Sequence, residues 1–219
     1  MRNEDRNEER NAQSLATYYR WHAGIYDFTR WFFLFGRTGL IDRVTAEIGE
    51  PRRILEIGCG TGKNLVALAG AFPKARITGL DLSKDMLDRA AAKVAEFDGR
   101  IDLLHQAYDG PVAKDGREKF DLIVFSYSLS MINPGYDEVL TQCRADLSPH
   151  GAVAVVDFHE TRWAWFRRWM GVNHVRMEGQ ILTQLSRQFE PLECRVRRGY
   201  GDLWRYLIYI GRLPAPAKA

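Results

Sequence analysis

The densest chemistry-bearing stretch of the chain is Glu56-Ile57-Gly58-Cys59-Gly60-Thr61-Gly62, a carboxylate followed by three alternating glycines. Glycines let the backbone turn tightly and let a bound group lie against it. The start of the helix that follows offers N–H groups with no partner inside the helix. A second carboxylate, Asp81, comes about 20 residues later in GLDLS, the position from which an acid accepts hydrogen bonds from ribose hydroxyls. Together these residues suit a cofactor that carries a nucleoside. Two loop types are excluded by spacing. A phosphate-binding loop needs G-x-x-x-x-G-K-[ST], but Gly62-Lys63 is followed by Asn64, and Ile57 stands five positions before Gly62. A dinucleotide loop needs G-x-G-x-x-G, and counting from Gly58 places Lys63 where the last glycine belongs.

Such a loop works only between a strand and a helix, and the pattern around it supplies both. RRILEIG, ARITGLDL, RIDLLHQA, KFDLIVFSYS and GAVAVVDFH read as strands. KNLVALAGAF, SKDMLDRAAAKVAEF and YDEVLTQCRADL read as helices, the second capped by Ser83. This alternation implies a parallel sheet covered on both faces. LECRVRRGY and LWRYLIYIG, separated by Gly199–Gly201, read as an antiparallel hairpin added at the sheet edge. TRWAWFRRWM is aromatic and basic, and GQILTQLSRQF is an amphipathic helix candidate.

The E-x-G-x-G-x-G loop, with Asp81, resembles motif I and the following acid of the class I S-adenosylmethionine-dependent methyltransferases. The resemblance covers residues 50–160. It implies a Rossmann-like α/β fold with a seven-stranded sheet, mostly parallel with an antiparallel edge, helices on both faces and an N-terminal helical lid. It also implies S-adenosylmethionine as cofactor, S-adenosylhomocysteine as product and no required metal. By this resemblance Glu56, Gly58, Gly60, Gly62 and Asp81 hold the cofactor. Leu82 and Met86 flank its adenine, Gln106 and Ala107 meet the ring, and Phe125, Ser126 and Tyr127 line the cleft near the methionine part. Many relatives carry an acid at or beside the position of Gln106. Cys59 is a small filler in the loop.

The acceptor must be sought outside the loop. The Asp/Asn-Pro-Pro-aromatic motif of nucleic-acid amino methyltransferases is missing from FSYSLSMINP. Cys143 follows Gln142, so it is not the Pro-Cys nucleophile of cytosine-C5 enzymes. A nucleic-acid partner is therefore not expected. The segment YYRWHAGIYDFTRWFFLFGR looks like the N-terminal region of bacterial betaine-lipid N-methyltransferases, and RYLIYIGRLP is similar to their last strand. That resemblance implies stepwise trimethylation of diacylglycerylhomoserine. Phosphatidylethanolamine N-methylation is the first alternative. A soluble or quinone-precursor acceptor, and a cofactor-binding protein without catalysis, are the others.

A quaternary ammonium product is held by aromatic faces, and the attacking amine must first lose its proton. Tyr18, Tyr19, His22 and Tyr26 fall on two adjacent stripes of one helix face and are the expected acceptor wall. Tyr18, His22, Tyr26 and His159 are the catalytic candidates, with His22 and His159 as possible bases. Tyr19 and Arg37 are assigned to the cofactor, Arg37 to its carboxylate.

Composition bounds the rest. The 219 residues are 46% hydrophobic and 27% charged, as in a soluble globular domain. Residues 1–12 read as a disordered tail, 13–50 as the helical lid and 51–219 as the cofactor-binding core. The three cysteines, Cys59, Cys143 and Cys194, form no C-x-x-C pair. The opening MRNEDRNEERNAQ has no apolar run like that of a secretory leader, which points to the cytoplasm. Five of the six tryptophans, Trp21, Trp31, Trp163, Trp165 and Trp169, stand among arginines in two segments. That mixture suits peripheral attachment to an anionic membrane surface. It equally suits a pair of helices that cap the site and turn their aromatics inward.

Overall fold

The computed structural model describes residues 34–97, 99–113, 118–132, 135–172 and 175–215. Its frame is a seven-stranded sheet. The strands are β1 (Arg53–Ile57), β2 (Arg76–Asp81), β3 (Ile101–His105), β4 (Phe120–Ser126), β5 (Leu147–Glu160), β6 (Glu190–Gly199) and β7 (Trp204–Arg212). Their spatial order is β3-β2-β1-β4-β5-β7-β6. The first five are parallel, β7 runs antiparallel to β5, and β6 antiparallel to β7. This is the strand order of the class I methyltransferase fold, as the resemblance of the glycine loop implies.

Side chains alternate across the pleat and so build two cores. On one face, Leu122 and Val124 of β4 and Ala154 and Val156 of β5 pack with helices α1 (Arg37–Ile48), α2 (Lys63–Ala71), α3 (Lys84–Val94) and α5 (Ala164–Val172). On the other, Ile123 and Phe125 of β4 and Val153 and Val155 of β5 pack with α4 (Tyr136–Asp146) and α6 (Gln180–Gln188). The central strands are apolar on both faces because helices cover both.

Two boundaries differ from the sequence reading. β5 starts at Leu147 rather than Gly151, because its first residues pair with Phe120 before a bulge restores register at Leu122. Gly151 is needed there: a Cβ would stand 2.8 Å from the Phe120 carbonyl oxygen. The second difference concerns the segment read as a lid over 13–50. Its described part is α1, whose Leu40, Ile41 and Val44 are buried against the sheet, so this helix is built into the core. Gly39 lies inside α1, and Gly36 precedes the helix in a left-handed conformation. Residues 1–33, and with them Tyr18, Tyr19, His22 and Tyr26, lie outside the described residues.

The hairpin places β7 inside the sheet and leaves β6 as its edge. β6 is guarded by Pro191 and by exposed Arg195, Arg197 and Arg198, features that discourage pairing with another chain. No helix among the described residues is long and apolar enough to cross a membrane.

Candidate functional site

The parallel strands deliver their carboxyl ends to one edge of the sheet, and ligands of such sheets bind there. β1 ends at Ile57 and hands the chain to the glycine loop. Gly58, Gly60 and Gly62 all adopt positive φ, at 72°, 55° and 75°. Gly58 and Gly62 are fixed by packing. A Cβ on Gly58 would stand 2.7 Å from the Ser128 Cβ, and one on Gly62 would stand 2.9 Å from the Ala90 Cβ. Gly60 differs, because nothing lies within 4 Å of where its Cβ would be. Its bare backbone faces the cleft. Gly58 and Cys59 both donate their N–H to the Leu80 carbonyl, at 2.8 and 3.0 Å, which locks the loop to β2.

Asp81, at the end of β2, completes the loop. Its Oδ2 accepts from the Gly60 N–H at 2.7 Å and its Oδ1 from the Ser83 N–H at 2.9 Å. Each carboxylate oxygen keeps a second lone pair for a ligand. Ser83 caps α3, accepting from the Met86 N–H at 3.4 Å, as its sequence position predicts.

Glu56 is the electrostatically unusual group. It is buried, its Oε1 accepts from Asn64 Nδ2 at 2.8 Å, and its Oε2 has no hydrogen-bond partner. Burial pushes its carboxyl up to about 7, against the lowering effects of the Asn64 hydrogen bond and the Arg37 charge. Asp81 adds a smaller upward push. A buried acceptor left open on a cavity wall is a place where a ligand donor or cation fits. Arg37 stands nearby, its guanidinium 5.8 Å from the Tyr127 ring centre. Burial, with the charges of Glu56 and Asp81, keeps the Cys59 thiol protonated, in keeping with a filler role.

These groups share one cavity of about 720 Å³. Of the residues singled out in the sequence, Arg37, Glu56, Gly58, Gly60, Asp81, Leu82, Met86 and Ala107 line it. Gly62 lies behind the wall as the residue before α2. Gln106 is exposed and is not part of the lining. Phe125, Ser126 and Tyr127 are in the interior rather than on the wall. Tyr127 takes a positive φ of 58° and donates its hydroxyl to the Phe35 carbonyl at 2.7 Å. The chain turns there, and the wall falls on Ser128, Met131 and Ile132 instead. His159, at the end of β5, also lies off the cavity; its Nδ1 is buried without a partner. Burial lowers its pKa, Glu160 opposes this, and Arg205 adds to it.

Several lining residues carry no motif in the sequence. Asn64 is the clearest, a polar residue buried at the first turn of α2. The loop after β3 is another: Tyr108 and Asp109 line the cavity beside Ala107. Asp146, fully buried at the end of α4, holds that loop. It accepts from the Tyr108 hydroxyl at 2.9 Å and from the Val112 and Ala113 N–H groups at 3.1 Å each. No motif marked Asp146, since it acts through another segment.

Strand order and glycine loop together define the class I methyltransferase fold, and comparison with known proteins agrees. Residues 54–151 match the family model described as "Methyltransferase domain". The chain is 35% identical over 122 residues to a trans-aconitate 2-methyltransferase of Streptomyces avermitilis, covering 52% of this chain and 42% of that protein. It is 34% identical over 114 residues to a malonyl-[acyl-carrier protein] O-methyltransferase of Halalkalibacterium halodurans, covering 50% and 40%. The chain thus matches less than half the length of these relatives. Among solved structures, the Burkholderia thailandensis 1,6-didemethyltoxoflavin-N1-methyltransferase, with bound S-adenosylhomocysteine, superposes with a TM-score of 0.70. It is 17% identical, over 95% of this chain and 90% of that one. The N-methyltransferase NodS of Bradyrhizobium japonicum, in complex with S-adenosylhomocysteine, gives a TM-score of 0.67 at 22% identity, over 82% and 86%.

Proposed function

We propose that the protein is an S-adenosylmethionine-dependent N-methyltransferase whose acceptor is an amino-headgroup lipid, diacylglycerylhomoserine first. The observation that carries the cofactor assignment is the unpartnered Glu56 oxygen on a cavity whose floor is the bare backbone of Gly60. When bound, the cofactor supplies an electrophilic methyl group on a sulfonium. The chain supplies placement. Asp81 accepts from the ribose hydroxyls, and Gly60 lets the nucleoside approach the backbone. Glu56 receives the amino group of the methionine part, and Arg37 its carboxylate. Leu82, Met86 and Ala107 form the adenine walls.

Methyl transfer requires a neutral amine aligned with the methyl carbon. His159 lies off the cavity and burial lowers its pKa, so the base is sought first at His22. His22, Tyr18 and Tyr26 are proposed for the acceptor wall, and Tyr19 for the cofactor, on the resemblance of residues 18–37 to betaine-lipid N-methyltransferases. The same resemblance supports a lipid acceptor and peripheral attachment at the cytoplasmic face of an anionic membrane.

The test is incubation of purified protein with labelled S-adenosylmethionine and mixed liposomes containing diacylglycerylhomoserine and phosphatidylethanolamine, read by mass spectrometry of the lipids. Stepwise methylation of the homoserine lipid is the expected result. Label in phosphatidylethanolamine alone moves the acceptor to the first alternative. A second reading, a small carboxylate acceptor, is favoured by the relatives that act on trans-aconitate. Label in added trans-aconitate but in neither lipid would select it.

A further inference from the structure

We propose that the carboxyl edge of the sheet docks on an anionic phospholipid bilayer through an aromatic plateau beside the cleft, with α5 lying flat in the headgroup layer. The surface is argued from geometry; its purpose rests on the lipid-acceptor reading above. α5 carries two apolar stripes. Phe166 and Met170, four apart, are buried and anchor the helix to the fold. Trp165 and Trp169, also four apart, point outward, Trp165 with 62% of its surface exposed. Trp163 is exposed just before the helix. Exposed Arg162, Arg167 and Arg168 stand among them. Clustered large aromatics on a surface mark an interaction site. Tryptophan beside arginine is the composition of a helix at a lipid–water boundary.

The plateau extends beyond α5. Trp204, wholly buried at the start of β7, is the hub. Phe166 stacks on it at 5.9 Å and 22°, Tyr200 lies 5.0 Å away, and Phe35 5.8 Å. Tyr200, on the β6–β7 turn, is 54% exposed, and Phe35 is exposed as well. Phe35 sits between Leu34 and Arg37, and both of these line the cleft. Plateau and cleft mouth therefore share one chain segment. They also share one edge: β5 leaves, β6 ends and β7 begins on the side where β1 and β2 deliver Glu56 and Asp81.

Charge selects the occupant. Of the nearby acids, Glu160 and Asp202 are engaged by Arg205, at 2.8 and 2.9 Å, and Glu178, backbone-bridged to Glu160, is the exposed one. The outward charge of α5 and its approach is then carried by Arg162 and Arg168, while Arg167 donates to the Thr161 carbonyl at 2.7 Å. A flat anionic surface satisfies both the aromatics and these guanidinium groups.

The test is cosedimentation of the full chain with vesicles of phosphatidylcholine alone and of phosphatidylcholine with 30% phosphatidylglycerol (about this fraction gives a strong surface potential). The wild type should bind the anionic vesicles and lose binding in high salt. The doubly substituted Trp165→Ala, Arg168→Glu chain should lose at least about tenfold in the bound-to-free ratio, with unchanged thermal midpoint and unchanged S-adenosylhomocysteine affinity. Equal binding by wild type and variant, or no binding by the wild type, overturns the docking surface while leaving the methyltransferase reading intact. Vesicle binding that depends on these residues, without methylation of any lipid in the vesicles, upholds the surface and overturns the lipid acceptor.

Discussion

The Gly60 N–H donates to the Asp81 carboxylate at 2.7 Å, joining two residues that the chain separates by 21 positions. The glycine loop and the acid at the end of β2 are thus one device. Asp81 shapes the loop before any ligand arrives.

Asp81→Ala should therefore cost more than one ligand contact. It removes a charge-assisted acceptor for the ligand and frees the Gly60 N–H. The expected loss in S-adenosylhomocysteine affinity is roughly 10- to 100-fold, the worth of a hydrogen bond to a charged group. Isothermal titration calorimetry reads it, and an unchanged Kd would remove Asp81 from the site.

Glu56 makes stability depend on pH in an unusual direction. Its carboxyl is raised from 4.5 unfolded to about 7 folded. Between these values the unfolded chain has already released a proton that the folded chain retains, so stability falls as pH rises through this window. The full effect is roughly 3 kcal/mol. Glu56→Gln should flatten this part of the profile and raise the thermal midpoint of the ligand-free protein at pH 8. It should also weaken S-adenosylhomocysteine binding. Parallel profiles for wild type and variant between pH 4.5 and 7.5 would contradict the assignment.

Gly60 and Gly62 should respond differently to alanine. Gly62→Ala meets both a positive φ and the Ala90 Cβ at 2.9 Å, and should lose about 3 kcal/mol in urea unfolding. Gly60→Ala meets only the backbone penalty, about 1–2 kcal/mol, but its methyl group enters the cleft. Its signature is weakened ligand binding in a folded protein. Equal stability losses at both positions would sink this distinction.

Asp146→Ala should loosen the loop after β3. It orphans the Tyr108 hydroxyl and two N–H groups at a buried site, a loss of about 3 kcal/mol or more. Urea unfolding measures this, and hydrogen exchange at Val112 and Ala113 localises it. Continued protection of both amides would show that something else holds the loop.

The parts of the molecule legible in the sequence were those fixed by local pattern. The runs LIVF and VAVV announced β4 and β5, because strands covered on both faces need unbroken apolar residues. Ser83 announced α3 through its cap. Alternation placed Glu56 and Asp81 at strand ends. What stayed hidden depended on the path of the chain after a strand. The resemblance puts Phe125, Ser126 and Tyr127 on the cleft wall, but the left-handed turn at Tyr127 passes that position to Ser128. The role of Asp146 was invisible because its three donors come from a segment more than 30 residues earlier. Amphipathicity could not tell that α1 would pack on the sheet, since a lid helix carries the same stripe.

The strand order sets a schedule for synthesis. β5 is among the most apolar strands, yet its partner β7 follows only after two helices and β6. At ribosomal rates, the roughly 40 residues between them take a few seconds to emerge. During that interval the long flank of β5 has no neighbour to satisfy its amides, and the face that α6 will cover stays wet. A nascent chain stalled in this stretch would be a better chaperone client, and a better seed for aggregation, than the finished protein.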